Sequence, residues 1–110
     1  MNERTQTASP ETDHLGFLLD ATCWTPDWCL DIASQQGLSL IDQDMAIVES
    51  LREFYFEYDL SPAMRPLVKH LKARFGADVG NSIFLMQRFG ESPARMLALL
   101  AGLPKPKNCL

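Results

Sequence analysis

The chain has 110 residues, of which 46% are hydrophobic and 22% charged, with a formal net charge of -4. That length supports one globular domain without room for a second core, and the apolar fraction sets the chain apart from a disordered tail. The acidic balance argues against strong direct nucleic-acid binding through a basic surface, no apolar run reaches the roughly 18 residues of a membrane span, and the polar start MNERTQTASPETD has no secretory apolar region.

Residues 1–13 lack apolar periodicity and are expected to be a disordered N-terminal segment ahead of a helical domain over 14–102. His14 to Trp24 places Phe17, Leu18 and Leu19 before Asp20, with Cys23 and Trp24 beyond, and predicts a short β-hairpin turning at Asp20–Ala21. Thr25-Pro26 supplies an N-cap and a proline at the first helical position. The helix it opens carries Trp28, Cys29, Ile32 and Ala33 and closes at Gly37. The next helix runs from about Asp42 to Tyr58, with Met45, Val48, Leu51 and Tyr55 at three- and four-residue steps. Ser61-Pro62 repeats the cap-and-proline pattern ahead of Met64, Leu67, Val68, Leu71 and Phe75, and Gly76 ends that helix. A shorter helix is expected over Val79–Phe89, and a last one from Ser92-Pro93 to Gly102.

The expected fold is therefore mainly α: a compact bundle of about five short helices with an N-terminal β-hairpin. Beyond Gly102 the chain reads LPKPKNCL, and its two prolines forbid helix and favour extended backbone. Residues 103–110 are expected to be a mobile C-terminal arm, roughly 25 Å long at the polyproline rise, with the thiol of Cys109 near its tip.

Charge divides unevenly along the chain. Residues 1–60 hold twelve of the fourteen acids and only Arg4 and Arg52 among the bases, whereas residues 61–110 hold eight bases against Asp78 and Glu91. Two unlike faces for two partners are one expectation; solvated helix faces are the plainer one. Three cysteines without C-x-x-C or zinc-like spacing point to the inside of the cell, and the expected location is cytoplasmic. Cys23 and Cys29 lie in apolar surroundings, where a cysteine is usually a small buried hydrophobe. Cys109 has Lys105 and Lys107 nearby, which favour its thiolate, and the terminal carboxylate, which opposes it.

Other chemistry has little support. His14 and His70 stand alone, with His70 among lysines as a surface residue. Asp42 and Asp44 read as charges meeting a helix dipole rather than as a metal pair. No phosphate-binding glycine motif is present, and neither a cofactor nor a metal is expected.

The tail AGLPKPKNCL, from Ala101 to Leu110, resembles the closing signature of the TusE/DsrC family of sulfur-relay proteins. The resemblance extends to Gly16–Leu18 and Trp24, to LREFY at Leu51–Tyr55, to SPAMRPLVK at Ser61–Lys69, to GNS at Gly80–Ser82 and to FGESPA at Phe89–Ala94. It implies a helical fold with a hairpin and a mobile arm. It also implies that Cys109 accepts sulfane sulfur as a persulfide and hands it on, a reaction akin to disulfide exchange. Members that serve dissimilatory sulfite reductase carry a second cysteine eleven residues before the penultimate one, where this chain has Ala98.

A single arm thiol favours the TusE-like branch. That branch implies an upstream sulfur-donor complex of TusBCD type, a downstream tRNA 2-thiouridylase and 2-thiouridine at the tRNA wobble position. The alternatives are a DsrC-like partner of sulfite reductase and a non-catalytic binding or regulatory module, with DNA binding ranked last. The chain departs from the family pattern at Asp44-Met45, Gly90 and Ser92, where His-Trp, Pro and Gly are usual. Arg52, Arg65, Lys69 and Lys105 are candidates for a basic docking surface.

Overall fold

The computed structural model describes residues 10–107. Within it, helices α1 (Pro26–Gln35), α2 (Asp42–Tyr58), α3 (Met64–Phe75), α4 (Ser82–Phe89) and α5 (Pro93–Leu100) follow a single 3-10 turn at Ala21–Cys23. No helix among the described residues is long and apolar enough to cross a membrane.

Local chemistry sets most boundaries. The Thr25 hydroxyl accepts the Trp28 N–H at 3.1 Å, with Pro26 in the first turn of α1. Helix α2 starts where the Asp44 carboxylate reaches back to the Ile41 N–H at 3.0 Å, half of a capping box. It stops at Asp59, whose φ of 57° is left-handed and whose N–H bonds the Tyr55 carbonyl at 2.7 Å. The Asn81 side chain accepts the Phe84 N–H at 3.0 Å and fixes the start of α4 at Ser82, three residues later than the apolar pattern alone suggests.

The N-terminal β-hairpin expected over His14–Trp24 does not form: the described residues contain no strand, only an isolated antiparallel bridge between Thr12 and Leu18. Asp20 does not turn two strands. Its carboxylate accepts the Thr22 N–H at 2.9 Å and the Thr22 hydroxyl at 2.6 Å, which winds the 3-10 turn instead. The reversal lies earlier. The Asp13 carboxylate accepts the Leu15 and Phe17 N–H groups, both at 2.9 Å, and Gly16 takes the left-handed φ of 95°. This tuck buries Phe17 and Leu18. It also brings 10–13 against the domain; 1–9, the rest of the segment expected to be disordered, lie outside the described residues.

Helix α5 is the centre of the bundle and touches each of the other four helices. Its apolar residues run almost all the way round, with Leu97 and Leu100 at 0% exposure, the pattern of a helix enclosed by others. Truncating either leucine to alanine would cost about 2–5 kcal/mol through lost burial and the cavity left behind. Phe17, Cys29, Val48, Leu67 and Leu85 close around this helix from the surrounding elements. Ala98, where a second cysteine would stand in the other branch of the family, is 2% exposed within this core.

Asp44 stands in the first turn of α2, as its dipole reading expects, and is also 1% exposed and paired with Arg88 of α4, which donates from Nε at 3.2 Å. One sequence reading gives way to packing. Ser61-Pro62 does not cap α3, which begins at Met64 with Ala63 before it; both residues are buried, and the Ser61 hydroxyl is engaged elsewhere.

Candidate functional site

The C-terminal arm leaves the end of α5 through Gly102, whose φ of 69° is left-handed and turns the chain back. The Leu103 N–H closes the turn on the Ala98 carbonyl at 3.0 Å. No side chain would fit at Gly102: a Cβ there would lie 2.7 Å from Cδ1 of Trp24. Trp24 in turn donates from Nε1 to the Leu100 carbonyl at 2.8 Å, so the residue after the 3-10 turn braces the end of α5.

Arg52 of α2 completes this brace. Its guanidinium donates to the Ala101 carbonyl and to the Ala21 carbonyl, each at 2.9 Å, and lies 4.4 Å from the centre of the Trp24 ring. Burial lowers its pKa from the ordinary value, with Glu49 opposing the shift. Of the four candidate docking bases, Arg52 is thus already committed to the arm root.

Part of the described arm, residues 103–107, packs against the bundle. Leu103 is 0% exposed, Pro106 is buried, and the Ser61 hydroxyl donates to the Pro104 carbonyl at 2.5 Å. Ser61 carried a visible signal, a serine before a proline, but the cap reading assigned it to the wrong partner. Lys105 and Lys107 stay exposed. They line a groove of about 400 Å³ together with Tyr55, Asp59, Leu60 and Pro66 of the bundle.

A second groove, of about 480 Å³, continues from Leu60 and Pro66 along α2 and α3, past Phe54, Tyr58 and Lys69. Lys105 thus lines one groove and Lys69 the other, and the two grooves share Leu60 and Pro66. Arg65 is exposed one turn before Lys69 on α3 and lines neither groove. Acids and bases interleave here: Arg74 of α3 pairs with Glu53 of α2 at 2.8 Å.

Cys109 lies outside the described residues. The other two thiols differ sharply. Cys29 is fully buried, and desolvation, reinforced by Glu49, pushes its pKa up to about 11, so it stays a thiol near neutral pH. Cys23 is exposed on the 3-10 turn. His70 is half-buried rather than a plain surface residue; its Nε2–H donates to the Ser50 carbonyl at 3.2 Å, and its ring lies edge-on to Phe54 at 5.2 Å.

Comparison with known proteins agrees with this architecture. A family model described as DsrC like protein matches residues 4–110. The chain is 44% identical over 100 residues to the Sulfurtransferase TusE homolog of Haemophilus influenzae, across 91% of this chain and 92% of that protein. It is 39% identical over 100 residues to Sulfurtransferase TusE of Escherichia coli, with the same 91% and 92% coverage. The NMR structure of Allochromatium vinosum DsrC superposes with a TM-score of 0.81 at 37% identity, covering 89% of this chain and 88% of that one. The oxidized gamma-subunit of the dissimilatory sulfite reductase (DsrC) from Archaeoglobus fulgidus gives 0.77 at 31% identity, covering 92% of each chain. With a family match over residues 4–110 and a fold that superposes on that of Allochromatium vinosum DsrC, this chain belongs to the DsrC-like family.

Proposed function

We propose that this protein is a sulfurtransferase of the TusE type, a cytoplasmic persulfide carrier serving 2-thiouridine formation at the tRNA wobble position. The observation that carries this reading is the near-full-length match to sulfurtransferases named TusE, in a chain whose tail holds one arm cysteine, Cys109. Cys109 takes sulfane sulfur from an upstream donor complex of TusBCD type and holds it as a persulfide. An acceptor thiolate, in this reading that of a tRNA 2-thiouridylase, then attacks the outer sulfur. One S–S bond forms on the acceptor, the S–S bond at Cys109 breaks, and the Cys109 thiolate leaves with the electron pair, so no oxidant is consumed.

Two features of the chain support the assignment of Cys109. The Cys29 thiol is buried and held protonated, and Ala98 supplies no second arm thiol to displace the sulfur internally. The same feature weighs against the sulfite-reductase role that the Archaeoglobus fulgidus relative's description carries. Residues 103–110 act as the delivery arm, and Lys105, Lys69 and Arg65 as basic contacts for the partners.

Incubation with a sulfane-sulfur donor is expected to raise the intact mass by one sulfur atom in the wild type and in Cys23→Ser and Cys29→Ser, and not in Cys109→Ser. Retention of the gain in Cys109→Ser overturns the site. Deletion of the gene is expected to deplete 2-thiouridine in tRNA, and an unchanged level overturns the tRNA role.

A further inference from the structure

The two grooves beside the arm root have an occupant that chain length identifies. Pro104 is held by Ser61 and Pro106 is buried, so the arm is anchored almost as far as the described residues extend. Lys107 already lines the first groove. Cys109 follows two residues later, and covalent geometry allows about 7 Å of backbone over that span, hence about 10 Å to the sulfur.

A protein that reaches this sulfur must therefore cover the surface around Lys107. A standard interface takes about 800 Å² on each partner, a patch of about 16 Å radius, which exceeds the length of the tether. The surface under such a footprint is suited to contact. Tyr58 and Leu60 are 55% and 51% exposed and line the grooves; Lys105 and Lys107 line the first groove together with Asp59, and Glu53 and Glu57 line the second. Exposed aromatic and aliphatic residues ringed by charge are the composition of an interface core and its rim.

We propose that the surface of the two neighbouring grooves, from Lys105 and Lys107 across Leu60 and Pro66 to Tyr58, is the seat of the protein whose thiolate receives the sulfane sulfur from Cys109. This rests on the carrier reading above. The receiving face presents apolar side chains to Leu60 and Tyr58 and carboxylates to Lys105 and Lys107.

The test is single-turnover sulfur transfer from the full chain to the tRNA 2-thiouridylase of the same cell. Each variant is first loaded with inorganic polysulfide, and chains carrying one extra sulfur by intact mass are compared. Leu60→Asp and Tyr58→Asp are expected to lower kcat/KM by about tenfold through KM, as loss of an interface anchor does. Ile83→Asp, at an exposed apolar position of α4 that lines neither groove, is expected to transfer at the wild-type rate. Wild-type transfer by both Leu60→Asp and Tyr58→Asp overturns the docking surface while leaving the carrier reading intact. Transfer that survives Cys109→Ser overturns the carrier reading itself. Concentration-dependent dimerisation of the wild type that Leu60→Asp abolishes would assign the surface to a second copy of this chain and overturn the proposal.

Discussion

Arg52 and Trp24 hold each other across the root of the C-terminal arm: the guanidinium lies 4.4 Å from the ring centre, and both side chains donate to carbonyls at the end of α5. The arm thus begins from a fixed platform. The Ala101 carbonyl belongs to a residue with 0% exposure, so the bond from Arg52 stands in for water that cannot reach it.

Replacing Arg52 separates this bracing from docking. A hydrogen bond from a charged donor is worth about 1.5–3 kcal/mol, and removing it leaves a buried carbonyl unpaired. Arg52→Ala is expected to destabilise by about 3 kcal/mol in urea unfolding. Arg52→Lys should recover less than half of that loss, because an ammonium cannot span two carbonyls as the planar fork does. In a Trp28→Phe background, Trp24 emission should shift to the red in both variants. Wild-type stability in Arg52→Ala, together with slower sulfur transfer, would return Arg52 to the docking surface.

Ser61 anchors the arm at Pro104. Ser61→Ala removes a hydrogen bond worth about 1 kcal/mol, which corresponds to roughly fivefold more frequent local opening. Amide exchange at Leu103, Lys105 and Lys107 is expected to accelerate by that factor while α5 keeps its protection. Equal acceleration throughout the chain would mean that the bond supports the whole fold rather than the arm.

The Asp44–Arg88 pair fastens α2 to α4. Arg88 is 35% exposed and Asp44 1%, so removing the arginine strands a carboxylate in the interior. Because solvent reaches the arginine side, the expected cost of Arg88→Met is about 2 kcal/mol, below the 3–5 kcal/mol of fully enclosed pairs. Adding Asp44→Asn should recover part of it, since the amide removes the charge and keeps an acceptor for the Ile41 N–H. A double variant less stable than Arg88→Met would show that the helix start, not the stranded charge, dominates.

His70 makes stability depend on pH. Burial lowers its pKa below the ordinary 6.5, Arg74 adds to the shift, and the Ser50 bond with Glu53 and Glu57 opposes it. The folded state then binds fewer protons than the unfolded chain between the two pKa values. Stability therefore falls as pH drops through about 6.5 and is fully retained above it. Thermal unfolding between about pH 7.5 and pH 5.5 should show a shallower loss in His70→Gln, whose amide can still donate to Ser50 but does not titrate in that range. Identical slopes would place the titrating group elsewhere.

Much of the helical layout is legible in the residues because it follows from local chemistry. Thr25-Pro26, Gly76 and the spacing of Met45, Val48, Leu51 and Tyr55 mark α1, the end of α3 and the body of α2, and each lies where the structure has it. The hairpin failed for an equally local reason, since Asp20 and Asp13 each bond to backbone N–H groups and wind turns where strands were expected. The family and its penultimate cysteine were likewise readable, through AGLPKPKNCL and the matching segments ahead of it.

The sequence alone determined, then, a single helical domain of net charge -4 with one cysteine in a proline-braced tail. Tertiary structure decided how that tail is held and what its charges do. Ser61 meets Pro104 across 43 positions of sequence, Arg52 meets Ala101 across 49, and Asp44 meets Arg88 across 44. Such pairings leave no local periodicity to read, because they arise when buried polar groups must find partners in the packed core. They hold the root of the arm against the bundle and fasten α2 to α4.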